Sequence, residues 1–177
     1  MRAFLRELLI TAALAFIIFL VVNTTLQTSV VIGASMEPNF FEGERLLVNK
    51  AAYFFEEPQR GDVIIFKPPG RADSDYIKRI IGLPGDTVEI RGQQVYVDGV
   101  PLQEPYITHD PRYTMPETKV ASDSYFVLGD NRSNSSDSHT GWLVPRENVV
   151  GKVWIYIWPP AQWGVSSNHA LDEQVNP

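Results

Sequence analysis

The 177-residue sequence predicts a mainly β protein, with an N-terminal transmembrane helix followed by an antiparallel β-barrel or sandwich that carries a small inserted cap. Two observations predict this class. One apolar segment near the N-terminus is long enough to cross a bilayer. Beyond it, short runs rich in β-branched residues alternate with Gly, Pro, Asn and Asp, which is typical of strands joined by turns.

These signals divide the chain into consecutive parts. The predicted parts are a cytoplasmic N-terminal flank (1–7), a transmembrane anchor (8–24), a β-rich domain (25–163) with a cap insertion at about 90–122, and a flexible tail (164–177). Residues 100–122 carry four prolines and little periodicity, so we expect that stretch to be rich in loops. The tail is expected to be mobile because polar residues dominate it at the end of the chain.

The anchor is predicted from a stretch, 8–22, in which only Thr11 is polar. A cleavable signal peptide and a buried core helix are the competing interpretations, but no small-x-small cleavage site follows the stretch. Arg2 and Arg6 precede it, and the next basic residue is Arg45. The positive-inside tendency therefore predicts a cytoplasmic N-terminus and an extracytoplasmic β-domain, at a plasma, inner or thylakoid-type membrane.

The β-domain is expected to contain about eight strands. They are predicted at 29–33, 45–50, 62–67, 76–81, 87–90, 94–99, 124–130 and 149–158. In the last of these, Trp154, Tyr156 and Trp158 alternate, which would place them on one face of the strand. That face is expected either to pack in the core or to touch the lipid interface.

Composition and charge argue against several classes of function. A net charge of −6 without a basic run disfavours a nucleic-acid partner. The chain has no cysteine, and its histidines, His109, His139 and His169, lack ligand spacing, so neither a metal nor another cofactor is expected. A Ser–His–Asp triad would have to use His139 with Asp137 or Asp130, and no GxSxG motif is present.

Two residues could carry covalent chemistry. Ser35 follows a glycine and an alanine in the stretch GASMEP, where the backbone can approach a substrate closely, although it also fits an ordinary turn. Lys78 lies in the apolar stretch YIKRII and fits a sheet edge as well. If Lys78 is buried, its pKa falls and the neutral amine can take the proton of a serine hydroxyl.

A third stretch, LGDNRSNSSDSH at 128–139, is dense in Asp, Asn and Ser. Such a run is either a solvated loop or a network of donors and acceptors that positions a base. Its glycine precedes the run and no spaced terminal glutamate follows, so the pattern of an EF-hand calcium loop is not met.

In their order along the chain, four stretches resemble the sequence boxes of type I signal peptidases, also called leader peptidases. They are GASMEP (33–38), RGDVIIF (60–66), YIKRIIGLPGD (76–86) and GDNRSNSSDS (129–138, below called the last box). With the anchor, the resemblance covers residue 8 to about 160. It implies a membrane-anchored serine endopeptidase that removes N-terminal signal peptides from exported preproteins after a small-x-small motif, and whose partners are those peptides and membrane lipids.

The resemblance also implies roles for single residues. Ser35 would be the nucleophile that forms an acyl-enzyme, and Lys78 the general base. Ser135 would orient the lysine, and Asp137 would have a structural role. Gly33 stands where some members of the family place a hydroxyl that helps to hold the oxyanion, so here the oxyanion would rely more on the Ser35 backbone N–H.

The substrate peptide is expected along an exposed strand edge, with shallow pockets beside Val31, Met36, Tyr76 and Ile77; plain core packing is the alternative for each of these residues.

The residue directly after the last box departs from the resemblance. His139 stands where that box often has arginine, so an ion pair with Asp137 would depend on pH. Arg79 is expected to point away from Lys78, towards an acidic partner such as Asp137 or Asp62.

Two alternatives stay open. One is another Ser–Lys enzyme, such as a self-cleaving repressor-type protease, although those proteins carry a DNA-binding domain instead of a membrane span. The other is a membrane-anchored β-domain that binds peptides without cleaving them.

Overall fold

The structure is a computed structural model that describes residues 2–54, 56–70, 74–166 and 168–175. Its helices are α1 (Arg2–Thr25) and α2 (Asp172–Val175), and its strands are β1 (Leu26–Val30), β2 (Arg45–Asn49), β3 (Val63–Phe66), β4 (Tyr76–Gly82), β5 (Thr87–Arg91), β6 (Gln94–Val97), β7 (Val100–Pro101), β8 (Met115–Lys119), β9 (Ser124–Leu128), β10 (Val144–Pro145), β11 (Val149–Trp158) and β12 (Gly164–Val165). Each of the strand pairs is antiparallel. The predicted class, mainly antiparallel β after an apolar helix, is confirmed.

Helix α1 is long and apolar enough to cross a membrane, by length and composition. An 18-residue window within Ala3–Thr25 has a mean hydropathy of 2.4, and none of that window is buried against the rest of the protein. At about 1.5 Å per residue the helix is about 36 Å long. It begins before the predicted anchor at 8–24, and Met1 lies outside the described residues.

Strand β1 follows the helix without a linker. It begins at Leu26, three residues before the strand predicted at 29–33, because pairing with β2 already starts there, opposite Asn49. The predicted strand continues the pairing only as far as Val31, whose N–H donates to the Glu44 carbonyl at 2.9 Å. The helix therefore connects directly to a strand at the edge of the main sheet.

The main sheet has eight strands in the order β1-β2-β11-β3-β4-β9-β10, with β12 paired to β11. Apolar residues fill both of its faces. Ile64 and Ile65 are neighbours on β3 and belong to different buried clusters, since successive side chains of a strand point to opposite faces. This two-sided burial explains why β3 is a continuous apolar run and why β4 is apolar apart from Lys78 and Arg79.

A second sheet forms the cap, with four strands in the order β7-β6-β5-β8. It spans 87–119, close to the predicted insertion at about 90–122. The expectation that 100–122 is rich in loops missed β8, whose Met115 is buried and lies opposite Ile90. Pro116 hides this strand in the sequence, and it is tolerated because β8 lies at the edge of the sheet.

The C-terminal segment packs against both sheets in its described part. Val165 pairs with β11, Leu171 is 1% exposed within the apolar cluster of the cap, and Asp172 lies 3.3 Å from Arg60. The stretch expected to be a flexible tail is therefore attached to the domain, because Leu171 anchors it in the core. The rest of that expectation, at Ser167, Asn176 and Pro177, lies outside the described residues.

The aromatic stripe predicted on β11 is divided between two environments. The register against β2 shifts between Val153 and Ile155, so Trp154 is an extra residue that stands exposed. Past this bulge Tyr156 faces the core and stacks on Phe40, with ring centroids 5.2 Å apart. Trp158 is exposed. The expectation that all three aromatic residues share one face was wrong, because the register shifts once at Trp154 and again between Tyr156 and Trp158.

Candidate active site

Ser35 lies in the turn that follows β1. The next residue, Met36, and Phe40 are both 0% exposed, and with Val31 they belong to the apolar cluster on one face of the main sheet. Gly33 has a φ of 79°, in the left-handed region that favours glycine. Apolar contacts with the core of the main sheet therefore hold the turn in place, while the Ser35 side chain stays partly accessible to solvent.

Lys78 lies on β4, between β3 and β9, and is 4% exposed. Its Nζ atom lies 2.6 Å from Ser35 Oγ and donates to the Ile77 carbonyl at 2.8 Å. The ring centroid of Tyr76 is 5.6 Å from Nζ. The structure thus brings the two residues predicted for catalysis into direct contact.

Burial lowers the pKa of Lys78 from 10.5 to about 8, because a charged ammonium loses its hydration in this position. The negative charges of Asp137 and Asp130 act in the opposite direction and are outweighed. A substantial fraction of Lys78 is therefore the neutral amine at pH values slightly above neutrality, which is the form that can accept a proton.

Asn131, in the last box, fixes the serine turn from the other side. Its backbone N–H donates to the Ser35 carbonyl and its side-chain amide donates to the Ala34 carbonyl, both at 3.0 Å. Sequence reasoning missed Asn131. The one available signal was the density of donors and acceptors in this stretch, which indicated a positioning network without naming its members.

Ser135 and Asp137, both in the last box, each lie next to Gly129. Asp137 is 0% exposed and accepts the Gly129 N–H at 2.9 Å. Ser135 Oγ is buried and has no hydrogen-bond partner among the described residues, so the expected bond to Lys78 is not made. A Cβ at Gly129 would lie 2.3 Å from Ser135 Oγ and 2.5 Å from the Ser35 carbonyl oxygen, so only glycine fits.

Arg79 points to the opposite face of β4 from Lys78, as expected, but its acidic partner differs. Its Nε and Nη2 atoms donate to the two Asp130 oxygens at 2.9 and 2.7 Å, and both side chains are fully buried. Asp137 or Asp62 as the partner was wrong, because Asp130 follows β9, the strand that pairs with β4 at Arg79. Asn39 also donates to Asp130, at 2.8 Å, so this ion pair holds the serine turn as well.

A groove of about 350 Å³ runs past Ser35 and Lys78. It is lined by Ser29, Val30, Val31, Ile32, Ser35, Leu46, Ile65, Ser74, Asp75, Tyr76, Ile77, Lys78 and Ser136. Of the residues expected to contact substrate, Val31, Tyr76 and Ile77 line the groove. Met36 does not, because it is fully buried in the core.

His139 is not assembled with Ser35 into a triad. Its Nδ1 atom lies 2.6 Å from Asp137 Oδ1 and its ring stacks on Tyr113, whereas the Ser35 hydroxyl contacts Lys78. Within the described part of the chain, no three His, Cys, Asp or Glu side chains are grouped so as to hold a metal ion. That the protein needs no metal or cofactor stays a prediction.

A serine hydroxyl in contact with a buried lysine amine, beside an open groove on a β-domain, is an arrangement for nucleophilic catalysis by a serine hydrolase. The family model described as signal peptidase, peptidase S26, matches residues 2–158, and the chain belongs to this family.

Several curated relatives resemble the chain over most of its length. It is 44% identical over 140 residues to the probable signal peptidase I-1 of Synechocystis sp., covering 73% of this chain and 70% of that protein. The signal peptidase I of Leptolyngbya laminosa is 43% identical over 137 residues, covering 73% and 68%. The signal peptidase IB of Staphylococcus aureus is 32% identical over 187 residues, covering 95% and 97%.

Among solved structures, a signal peptidase I from Enterococcus faecalis matches with a TM-score of 0.47 and 35% identity, over 55% of this chain and 97% of that one.

Proposed function

We propose that the chain acts as a signal peptidase I, with Ser35 as the nucleophile and Lys78 as the general base, on the signal peptides of exported preproteins. One observation carries the assignment of the two residues: Lys78 Nζ lies 2.6 Å from Ser35 Oγ in a buried position that lowers the lysine pKa to about 8. Membership of the signal peptidase family supports the reaction and the class of substrate.

The reaction begins with the neutral amine of Lys78. Nζ accepts the Ser35 Oγ proton while Oγ attacks the scissile carbonyl carbon, which gives a tetrahedral intermediate. The Lys78 ammonium then donates that proton to the leaving nitrogen, which becomes the new N-terminus of the mature protein. Lys78 then takes a proton from a water molecule that attacks the Ser35 ester, and the resulting ammonium returns the proton to Ser35 Oγ as the signal peptide leaves with a free carboxyl group.

The oxyanion of each tetrahedral intermediate needs a donor. The Ser35 backbone N–H has no hydrogen-bond partner among the described residues, so it is available for this task. Gly33 supplies no hydroxyl, and a single oxyanion donor is worth about 3 kcal/mol in other serine proteases. We assign the Ser35 N–H as the principal donor.

Ser135 supports Lys78 in this proposal. The Lys78 ammonium has three N–H groups, and two of them face Ser35 Oγ and the Ile77 carbonyl. The buried hydroxyl of Ser135 has no partner among the described residues, and we propose that it accepts the third N–H when Lys78 is protonated. This contact would hold the amine in place when its bond to Ser35 is lost during acylation.

The substrate peptide binds in extended form along the groove. Strand β1 is at the edge of the main sheet, and pairing of β4 with β9 begins only at Arg79, so the Tyr76–Lys78 part of β4 borders the groove. An extended peptide between these segments can form main-chain hydrogen bonds with an exposed strand. Val31 and Ile77 line the groove beside the dyad, and we propose that they restrict it to small side chains next to the cleaved bond.

Helix α1 is assigned as a membrane anchor with its N-terminus in the cytoplasm. Arg2 and Arg6 precede the apolar segment, as the positive-inside tendency requires. Because β1 follows α1 directly, Ser35 lies ten residues beyond the helix and therefore close to the extracytoplasmic membrane surface. Exposed Trp154 and Trp158 are suited to the lipid interface there.

The orientation can be tested by labelling, because the chain has no cysteine. A single cysteine in place of the exposed Ser122 should react with a membrane-impermeant maleimide added to the extracytoplasmic side of sealed vesicles. If the cysteine at position 122 were labelled only by reagent that has access to the cytoplasmic side of the membrane, the assigned orientation would be reversed.

The proposed reaction is tested by cleavage of a preprotein in detergent by wild type, Ser35→Ala and Lys78→Ala. Lys119→Ala, which removes an exposed lysine from β8, is the matched control. We expect both active-site variants to be folded and inactive, the control to be active, and the wild-type rate to rise through about pH 8. Activity in Lys78→Ala would exclude Lys78 as the base, and a wild type that binds but does not cut would favour the peptide-binding alternative.

A further inference from the structure

Beside Asp137, two aromatic rings from two parts of the fold form a stack. Tyr113 comes from the cap, between β7 and β8, and its ring centroid lies 4.1 Å from that of His139, with 22° between the ring planes. On the other side, His139 Nδ1 lies 2.6 Å from Asp137 Oδ1. The proposed reaction uses neither ring, so the stack needs an explanation of its own.

Asp137 connects this stack to the active site. Its second oxygen, Oδ2, accepts the N–H of Gly129, whose backbone packs tightly against Ser35 and Ser135. Groups that hold Asp137 therefore also hold this segment against the serine turn. The negative charge of Asp137 also raises the pKa of Lys78, against the effect of burial.

Asp137 differs from the neighbouring carboxylates in its partner. The other charged or titratable groups that face this region, in the described residues, are the pairs Asp130–Arg79 and Glu104–Arg132 and the phenol of Tyr113. Arginine stays charged at every accessible pH, so those two pairs keep their charge. The partner of Asp137 is a histidine, whose charge depends on pH.

We propose that His139, held in place by Tyr113, is a positioning residue that controls how much of the negative charge of Asp137 acts on Lys78. This inference rests on the proposed function of Lys78 as the general base. A neutral imidazole donates a hydrogen bond to the carboxylate without cancelling its charge, whereas an imidazolium cancels it. The uncancelled charge favours protonated Lys78, and the cancelled charge favours the neutral amine that catalysis requires.

Tyr113 makes the cap part of this control. Its ring covers one face of the imidazole and fixes the plane in which Nδ1 meets Asp137.

The test compares a permanent charge with a neutral hydrogen-bonding group at the same position. His139→Arg keeps a cation beside Asp137 at every pH, and His139→Gln has none. His109→Arg adds the same charge on an exposed part of the cap and is the matched control. The full-length chain in detergent micelles is titrated by NMR of ¹³C-labelled lysine, with the Lys78 signal assigned by its loss in Lys78→Arg, and kcat/KM for a signal-peptide substrate is measured against pH.

We expect His139→Arg to lower the midpoint of the Lys78 NMR titration and that of the kcat/KM profile by about half a pH unit. A shift of this size is what one unit charge produces at an intermediate dielectric constant. His139→Gln should show no downward shift, and His109→Arg should match the wild type. The proposal is overturned if the Arg and Gln variants of His139 share one midpoint, or if His109→Arg moves it equally far.

Asp137→Asn gives a second, independent measurement should His139→Arg not fold. It removes the charge and keeps an oxygen for the Gly129 N–H, so the Lys78 midpoint should again move lower. An unchanged midpoint in this variant also overturns the proposal. Failure of the proposed function is a separate result. It would appear as cleavage of the substrate by Lys78→Ala. The NMR midpoint of Lys78 would still report whether the charge at position 139 affects the lysine.

Discussion

Replacing Lys78 with methionine is expected to stabilise the fold at neutral pH while abolishing cleavage. Methionine has a similar length and no charge, so it fits the buried position on β4 without the cost of desolvating an ammonium group. The fall in the Lys78 pKa from 10.5 to about 8 corresponds to about 3 kcal/mol of lost stability when the side chain is protonated, at ~1.4 kcal/mol per pH unit.

Two losses oppose this gain. Methionine gives up the hydrogen bonds to Ser35 Oγ and to the Ile77 carbonyl, each worth about 1 kcal/mol. The net stabilisation at pH 7 is therefore about 1 kcal/mol. The pKa of Lys78 is lower in the folded state than in the unfolded state, so protonation of Lys78 favours unfolding. The wild-type protein therefore carries no such cost above pH 10.5, and the cost grows as the pH falls towards 8. The gain from methionine accordingly shrinks as the pH rises.

Urea unfolding of the full chain in detergent, at pH 7 and pH 9.5, measures this dependence. The free energy of unfolding of Lys78→Met relative to wild type should fall by about 2 kcal/mol between the two pH values. The matched control is Lys119→Met on β8, where an exposed side chain is replaced and the difference from wild type should not change with pH. A difference for Lys78→Met that is equal at both pH values would refute the assignment of a depressed pKa.

Three further outcomes are expected from the structure. Arg79→Met leaves the Asp130 carboxylate buried without its partner and should lower the free energy of unfolding by about 3–5 kcal/mol in urea titrations. Gly129→Ala places a Cβ 2.5 Å from the Ser35 carbonyl oxygen and should reduce kcat at least about tenfold, with an effect on KM that is smaller, in steady-state cleavage assays. Leu171→Ala removes the anchor of the C-terminal segment and should cost about 2–4 kcal/mol, with faster proteolysis after residue 163.

The strands that could be predicted from the sequence are those with at least one face buried by apolar side chains. β3 is apolar throughout and β4 is apolar apart from Lys78 and Arg79, so their positions were predicted to within two residues. β8 escaped prediction because its MPETK sequence exposes three of its five side chains and includes a proline. The attachment of the C-terminal segment escaped for a related reason: a single leucine, Leu171, supplies the buried contact, and one residue makes no periodic pattern.

The active site was predicted unevenly. Ser35 and Lys78 stand in short stretches whose family resemblance is specific, and the structure brings them together. Ser135 and Asp137 were named as supporting residues, but Asn131 was missed, since its contacts join distant parts of the chain: Asn131 and Ala34 are 97 positions apart, and neither residue type indicates the other. Residue types and spacing can mark a nucleophile or a base, but the partners of a polar side chain depend on how the strands are arranged.

Neighbouring cations on β4 show why that arrangement decides the chemistry. Lys78 and Arg79 are both almost fully buried, one on each face of the strand. Arg79 meets two carboxylate oxygens of Asp130 and keeps its charge. Among the described residues, no carboxylate lies within ion-pairing distance of Lys78, so burial alone dominates and favours the neutral amine. The same sheet therefore stabilises one cation for structure and destabilises its neighbour for catalysis, and the difference is the position of a single aspartate.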